Sequence, residues 1–197
     1  MTSTNWIPDY EHVGRALKPR RRTIVRPSFL RDGVCVVPLT KGYEAICDAD
    51  LLRLVGAFNW HASIQSAALV PYAMRSAWIH GRYVNVPLHR FVLDLTPDDN
   101  TSVDHINGDT LDNRRGNLRQ CTVTENNRNV RMQRANRSGY KGVVKDSTNR
   151  WKAQIKTRGR TIYLGSFTTP EAAALAYNDA ARSAFGEFAR LNVIPDA

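Results

Sequence analysis

The sequence predicts an α+β fold, and three observations carry that expectation. Residues 103–126 read as strand, long loop, strand and helix. Asn107-Gly108-Asp109 is turn chemistry, Asn117–Cys121 is a short strand, and Thr122 followed by Glu125 has the spacing of a capping box. Residues 138–193 read as three short strands and then one helix. There Trp151, Ala153 and Ile155 alternate with Arg150, Lys152, Gln154 and Lys156, giving one apolar and one cationic face. Finally, 197 residues suffice for one domain or two small ones.

Taken in order, residues 1–32 are a basic arm. Arg15 to Arg31 holds many cations and no acid, including Arg20-Arg21-Arg22, while Pro19 and Pro27 oppose one continuous helix. Such an arm either orders on a polyanion or remains a solvated tail. Residues 33–100 form a lead-in. Val34–Leu39 and Tyr43–Ile46 are strands around a Lys41-Gly42 turn, and Asp48 caps a short helix bearing Leu51, Leu52, Leu54 and Val55. Phe58–His61, Tyr72–Arg75 and Tyr83–Val86 are further strands, with Trp60 in the core. In the following PLHRFVLDL, Phe91, Val92 and Leu95 make an ordinary apolar helix face. His89 and Arg90 then either sit at the edge of that face or touch a phosphate.

A formal net charge of +10 and a pI of about 9.9 suit a polyanionic partner, because Lys and Arg on phosphates release counterions. No apolar run approaches transmembrane length and no signal-peptide core opens the chain, so no membrane partner and a cytoplasmic location are expected. The three cysteines, Cys35, Cys47 and Cys121, are widely spaced with no CxxC pair. Neither a structural zinc nor a disulfide scaffold is expected.

Asp104 to Asn126 read DHINGDTLDNRRGNLRQCTVTEN. Phosphodiester hydrolysis needs an activated water and stabilisation of charge on the phosphate and leaving oxygens. A neutral His accepts a proton near pH 7, and a divalent ion on oxygen ligands stabilises the anion. On an extended strand Asp104 and His105 point opposite ways, one to a metal and one to water. Asn117 can fix the imidazole tautomer and Asn126 can supply an amide oxygen. This string, with Asp112-Asn113-Arg114-Arg115 and Asn117-Leu118-Arg119, closely resembles the HNH, or ββα-metal, endonucleases. The resemblance implies His105 as general base, Asn117 orienting it, and Asp104 and Asn126 as ligands of Mg²⁺ or Mn²⁺. It also adds the His-Arg element at His89 and Arg90 as a phosphate contact.

Residues 33–136 are then a nuclease domain ending in an arginine-rich helix or linker at 122–137. Its Arg128, Arg131, Arg134 and Arg137 recur every three residues and read as DNA contacts rather than a solvated linker. Residues 138–197 resemble the AP2 domain. Tyr-Lys-Gly-Val, Trp, Tyr-Leu-Gly-Ser-Phe, Glu-Ala-Ala, Ala-Tyr and Leu-Asn fall in order. Pro170 suits a first helical turn, Thr168 to Glu171 a capping box, and Ala173, Ala176, Tyr177, Ala180 and Ala184 the packed helix face. The resemblance implies a three-stranded antiparallel sheet in the major groove. Its DNA face carries Lys141, Gln154, Lys156, Thr161 and Tyr163, with Arg150 and Lys152 beside them. Val144 and Thr161 stand where plant members have arginines, so the plant target sequence does not carry over.

Together these readings imply an endonuclease of homing type, of phage character, acting on double-stranded DNA. One such site handles one strand, so a monomer is favoured and nicks. A DNA-binding regulator with an inactive HNH scaffold is the alternative. Few aromatics on the polar face disfavour RNA.

Overall fold

The computed structural model describes residues 26–65, 70–79, 81–96, 98–126, 128–129 and 136–195. The arm before residue 26, and Arg131 and Arg134, lie outside the described residues. The chain divides into two compact units, 1–120 and 121–197.

In the first unit β1 (Phe29–Arg31), β2 (Val34–Pro38) and β3 (Glu44–Asp48) form an antiparallel sheet in that order. The edge strand β1 comes from the end of the basic stretch, where Arg31 pairs with Glu44. Val34-Cys35-Val36-Val37 is a β-branched run buried at its centre, as a middle strand covered on both faces must be. A 3-10 turn leads into α1 (Leu52–Val55). Asp48 stands at the helix entry, but its side chain makes no cap there. It accepts instead from the Arg115 amide at 2.8 Å, a long-range partner that local patterning does not reveal.

β4 (His61–Gln65), β5 (Val70–Ile79) and β6 (Arg82–Pro87) form a second antiparallel sheet, followed by α2 (Leu88–Val92). Trp60 is fully buried, and its indole donates to the Val55 carbonyl at 3.0 Å. The buried Arg75 guanidinium lies over the Phe58 ring at 4.0 Å and the Phe91 ring at 5.2 Å, so rings share the cation's desolvation. β7 (Ser102–His105) pairs with β8 (Leu118–Cys121), and the loop between them packs its backbone on β3.

In the second unit α3 (Val123–Asn126) is a single turn, closed by the expected capping box. The Thr122 amide donates to Glu125 Oε2 at 2.8 Å and the Glu125 amide to Thr122 Oγ1 at 3.2 Å. β9 (Val143–Lys145), β10 (Trp151–Thr157) and β11 (Arg160–Phe167) form an antiparallel sheet with β10 central, packed on α4 (Pro170–Phe185). A bulge at Ala153/Gln154 leaves Leu164 unpaired and turned to the helix side. Ile162, opposite the buried Ile155, is 47% exposed near the turn of the hairpin.

The helix departs from its sequence reading in two details. Its cap is Thr169, whose hydroxyl accepts from the Ala172 amide, with Pro170 first in the helix; Thr168 lies one residue too early. The buried face is Ala173, Ala174, Tyr177, Asn178, Ala181 and Phe185, while Ala184 is exposed. Alanines on several sides left the small-residue stripe ambiguous, and the two long anchors Tyr177 and Phe185 decide it. Asn178 exchanges two hydrogen bonds with the Asn192 backbone, and the Asn192 side chain exchanges two with the Lys141 backbone, tying the C-terminal segment to the sheet entry. Among the described residues no helix is long and apolar enough to cross a membrane.

Gly142 is the closest approach in this unit. At φ +76° an added Cβ would enter the Tyr177 ring and lie 2.7 Å from the Gln154 carbonyl oxygen, itself fixed by β10. Gly142→Ala should therefore destabilise the 121–197 unit by about 1–3 kcal/mol through overpacking and a left-handed alanine. Urea denaturation of the full chain checks this; an unchanged midpoint would mean that Tyr177 yields freely.

Candidate active site

Asp104 and His105 end β7, and both are buried. Their neighbourhood is built by the loop 106–117. Gly108, at φ +71°, lets its amide return to the His105 carbonyl at 2.7 Å, while Asn107 Oδ1 accepts from the Asp109 amide at 2.8 Å. The far side of the loop is sewn to β3: Ile46 N donates to the Leu111 carbonyl at 2.8 Å and Asn113 N to the Ile46 carbonyl at 2.7 Å. Asp112, buried, receives two bonds from the Arg114 guanidinium at 2.7 and 2.8 Å and one from the Asn107 amide group. Arg115 pairs with Asp50.

That frame sets the imidazole. Asn113 is 1% exposed, and its side-chain nitrogen donates to the Leu111 carbonyl at 3.0 Å. The amide oxygen therefore faces His105, 3.4 Å from Nε2. An oxygen there accepts from Nε2–H and leaves Nδ1 as the basic nitrogen. Asn117, expected beside the ring, directs its amide oxygen to the Asn107 amide at 3.0 Å and its nitrogen to the Asp112 carbonyl at 2.7 Å. It braces the loop that carries the ring. Asn113 was in view in the DNRR string without a role, since only the β3 register reveals it.

The Asp104 carboxylate takes two bonds from the Arg119 guanidinium, at 2.6 and 2.8 Å from one oxygen. Arg119 is two residues into β8, and the pair is almost wholly buried. On the other side of β7 three rings converge: His89 lies 5.2 Å from His105, and Tyr72 lies 6.0 and 6.3 Å from the two imidazoles. The structure thus brings His89 to His105. Tyr72 has no local sequence signal, because β5 reaches the site only through the tertiary fold.

Burial pulls the His105 pKa below the usual imidazole range, opposed in part by the Asn113 bond and by the Asp104, Asp109 and Asp112 carboxylates. His89 is pushed down to about 3, by burial first and then by His105 and Arg90. Both imidazoles are neutral near pH 7. Arg90 turns inward, donating to the carbonyls of Thr96, Asp99 and Thr101 at 2.6–2.7 Å. Its charge organises the segment before β7 rather than facing outward, as the His-Arg element had suggested.

In the second unit Asn126 closes α3. The outward face of the sheet carries Lys152, Gln154 and Lys156 on β10 with Tyr163 and Thr161 on β11; Gln154 lies opposite Tyr163 and Lys156 opposite Thr161. The Lys152 ammonium lies 5.4 Å from the centre of the Tyr163 ring. Arg150 reaches across to Ser166, and Lys141 donates to the Arg128 carbonyl at 2.8 Å, with burial and Arg190 lowering its pKa to about 8. The Arg128 guanidinium lies over the Phe185 ring at 5.3 Å. Arg128, Arg137, Lys141, Lys156 and Thr161 all line one cavity of about 1300 Å³ within this unit.

Among the described residues no three His, Cys, Asp or Glu side chains gather as a metal site. A divalent ion here would need amide and phosphate oxygens beside one carboxylate, and the buried Asp104 fits that requirement.

Residues 96–128 match the family model described as HNH endonuclease. An uncharacterized HNH endonuclease of Acanthamoeba polyphaga mimivirus is 33% identical over 174 residues, covering 84% of this chain and 85% of that protein. Dehydration-responsive element-binding protein 2A of Oryza sativa subsp. indica is 46% identical over 55 residues, 27% of this chain and 20% of that protein. A putative AP2/ERF and B3 domain-containing protein of Oryza sativa subsp. japonica is 47% identical over 60 residues, 30% of this chain and 19% of that protein. The chain thus spans about a fifth of these plant relatives and contains an AP2-like region. No solved structure matches it significantly. Likeness to the viral protein runs along most of both chains, so this protein belongs to the HNH endonuclease family.

Proposed function

We propose that this chain is a metal-dependent endonuclease of homing type that nicks double-stranded DNA. The observation that carries this reading is the buried, neutral His105, held by Asn113 beside the Asp104 carboxylate. Asn113 keeps the proton on Nε2, and Nδ1 takes one from the attacking water. Asn117 braces the loop so that the ring does not turn. His89, neutral and 5.2 Å from His105, contacts the scissile phosphate as an uncharged partner. Asp104 and Asn126 would hold Mg²⁺ or Mn²⁺, which when bound neutralises charge on the phosphate and the leaving oxygen. Arg119 keeps Asp104 aligned.

Residues 33–136 then form the nuclease domain and 138–197 the reader, preceded by the basic arm of 1–32. Lys152, Gln154, Lys156, Thr161 and Tyr163 meet the major groove, as do Arg137 and the 131 and 134 arginines of the linker. Lys141, Arg128 and Arg150 serve mainly to hold this surface, because their donors or ring contacts lie within the unit. One site acts on one strand, so the chain works as a monomer in the cytoplasm that holds its DNA.

Relaxation of supercoiled plasmid with Mg²⁺ or Mn²⁺ tests the activity. His105→Ala should lower nicking by about 10²–10⁴-fold with duplex affinity nearly unchanged, and EDTA should abolish the wild-type reaction. Intact duplex binding without nicking by the wild type would leave a regulator on an inactive scaffold.

The pH profile has a definite sign. The base works only when deprotonated, and the His105 pKa lies below the ordinary 6.5. The acid limb of kcat/KM should therefore rise with pH and be centred below 6.5; a bound cation shifts it the same way. A limb centred above 6.5 would remove His105 as the base.

Lys152→Ala should weaken duplex binding equally across sequences and lower the slope of log affinity against log salt by about one. An unchanged slope would take Lys152 off the phosphates.

A further inference from the structure

The charges around Asp104 cancel within the protein itself. The Asp104 side chain is 5% exposed and the Arg119 side chain 14%. Arg119 Nε and Nη2 both reach Asp104 Oδ2, at 2.8 and 2.6 Å. The rings that meet at His105 add no formal charge. His89 and His105 are neutral near pH 7, and burial, then the Asp104 carboxylate, keeps the Tyr72 phenol protonated. The other buried carboxylate of the loop, Asp112, is matched by Arg114. Asp109, the remaining carboxylate that acts on His105, is exposed to solvent screening.

Negative charge on its ligands is what draws a hard divalent cation to a site. A single carboxylate already neutralised by a guanidinium offers little of it. Because the pair is buried, water screens poorly the repulsion between the guanidinium and a second cation on the same carboxylate. A phosphodiester changes this balance. It brings a negative charge of its own, and the fork that fits a carboxylate fits a phosphate as well.

We infer that Arg119 is a resident competitor for the divalent ion at Asp104, and that it yields when a DNA phosphate offers the guanidinium a second anion. Metal and duplex then bind with positive coupling, and the site fills on substrate rather than in the free protein. The coupling is reciprocal: the factor that duplex adds to metal affinity, metal adds to duplex affinity. This rests on the metal-dependent endonuclease reading, and it adds competition to the alignment that Arg119 gives Asp104.

The test uses the full chain with Mn²⁺ as the probe, free Mn²⁺ being counted by electron paramagnetic resonance. Every protein carries His105→Ala, so a duplex containing the mapped nick site stays intact. Without DNA, Arg119→Gln, which keeps N–H donors but loses the charge, should bind Mn²⁺ about tenfold or more tightly than its parent. Adding duplex should raise the parent's Mn²⁺ affinity by about tenfold or more, and that of Arg119→Gln by about a third of that factor at most. Arg119→Lys, which keeps the charge, should stay within about threefold of the parent without DNA. Adding Asp104→Asn to Arg119→Gln should abolish the gain.

If Arg119 only holds Asp104 in place, Arg119→Gln weakens Mn²⁺ binding with and without duplex, and the inference is overturned. Equal affinities without DNA, or a gain that survives Asp104→Asn, also overturn it. Should Arg119→Gln lose its cooperative urea transition, the parent and Arg119→Lys decide. Mn²⁺ affinity that rises with duplex in both supports competition by charge, and affinity unmoved by duplex sinks it. A wild type that nicks in EDTA, or fails to nick with Mg²⁺ and Mn²⁺, would instead overturn the endonuclease reading.

Discussion

Two backbone hydrogen bonds from one residue of β3 hold the candidate site together. Ile46 donates to Leu111 and accepts from Asn113, making a short parallel contact between a sheet strand and a loop otherwise rich in turn residues. A loop of Asn, Asp and Gly has many local hydrogen-bonding options and would wander among them. Anchored at Ile46, it adopts one path, with Asn113 at the imidazole and Asn117 across its base. Each such bond is worth only about 1 kcal/mol net. Their value here lies in direction: they convert sheet rigidity into ring orientation, which catalysis by a positioned base requires.

The two units illustrate different ways of carrying polar function. In the first, the polar groups of the candidate site are buried and each is held by another polar group: Asp104 by Arg119, Asp112 by Arg114, His105 by Asn113. Burial drives the imidazoles toward neutrality, the form a base needs. In the second, the polar groups stand on one face of a sheet, and the hydrophobic work is done behind them by Ala153, Ile155, Tyr177 and the α4 alanines.

Local patterns were legible wherever one element determines its own chemistry. The Thr122–Glu125 box, the Asn107-Gly108 turn and the alternation of β10 need only neighbouring residues, and all three are present. What the sequence left hidden depends on distant partners. Asp48 looked like a helix cap because nothing local announces Arg115; Asn117 looked like the ring's partner because nothing local distinguishes it from Asn113. Tyr72 arrives from a strand more than thirty positions before His105. The edge of the α4 face is blurred in the sequence, with Ala184 exposed where packing is expected, because alanine scarcely distinguishes inside from outside, whereas one buried tyrosine and one buried phenylalanine do.

Arg90 shows why formula charge overstates what this chain presents to a partner. Three of its N–H groups are committed to carbonyls of its own fold. Arg26 similarly binds the Trp60 carbonyl, Arg119 is sequestered on Asp104, and the Lys141 ammonium on Arg128. The +10 of the sequence therefore includes cations whose N–H groups are already committed to acceptors within the fold. Ion release on binding a polyanion counts only cations that exchange small ions for phosphate. The thermodynamic valence open to such binding is accordingly limited to an exposed subset of cations, to which Lys156 belongs, and is smaller than the isoelectric point suggests.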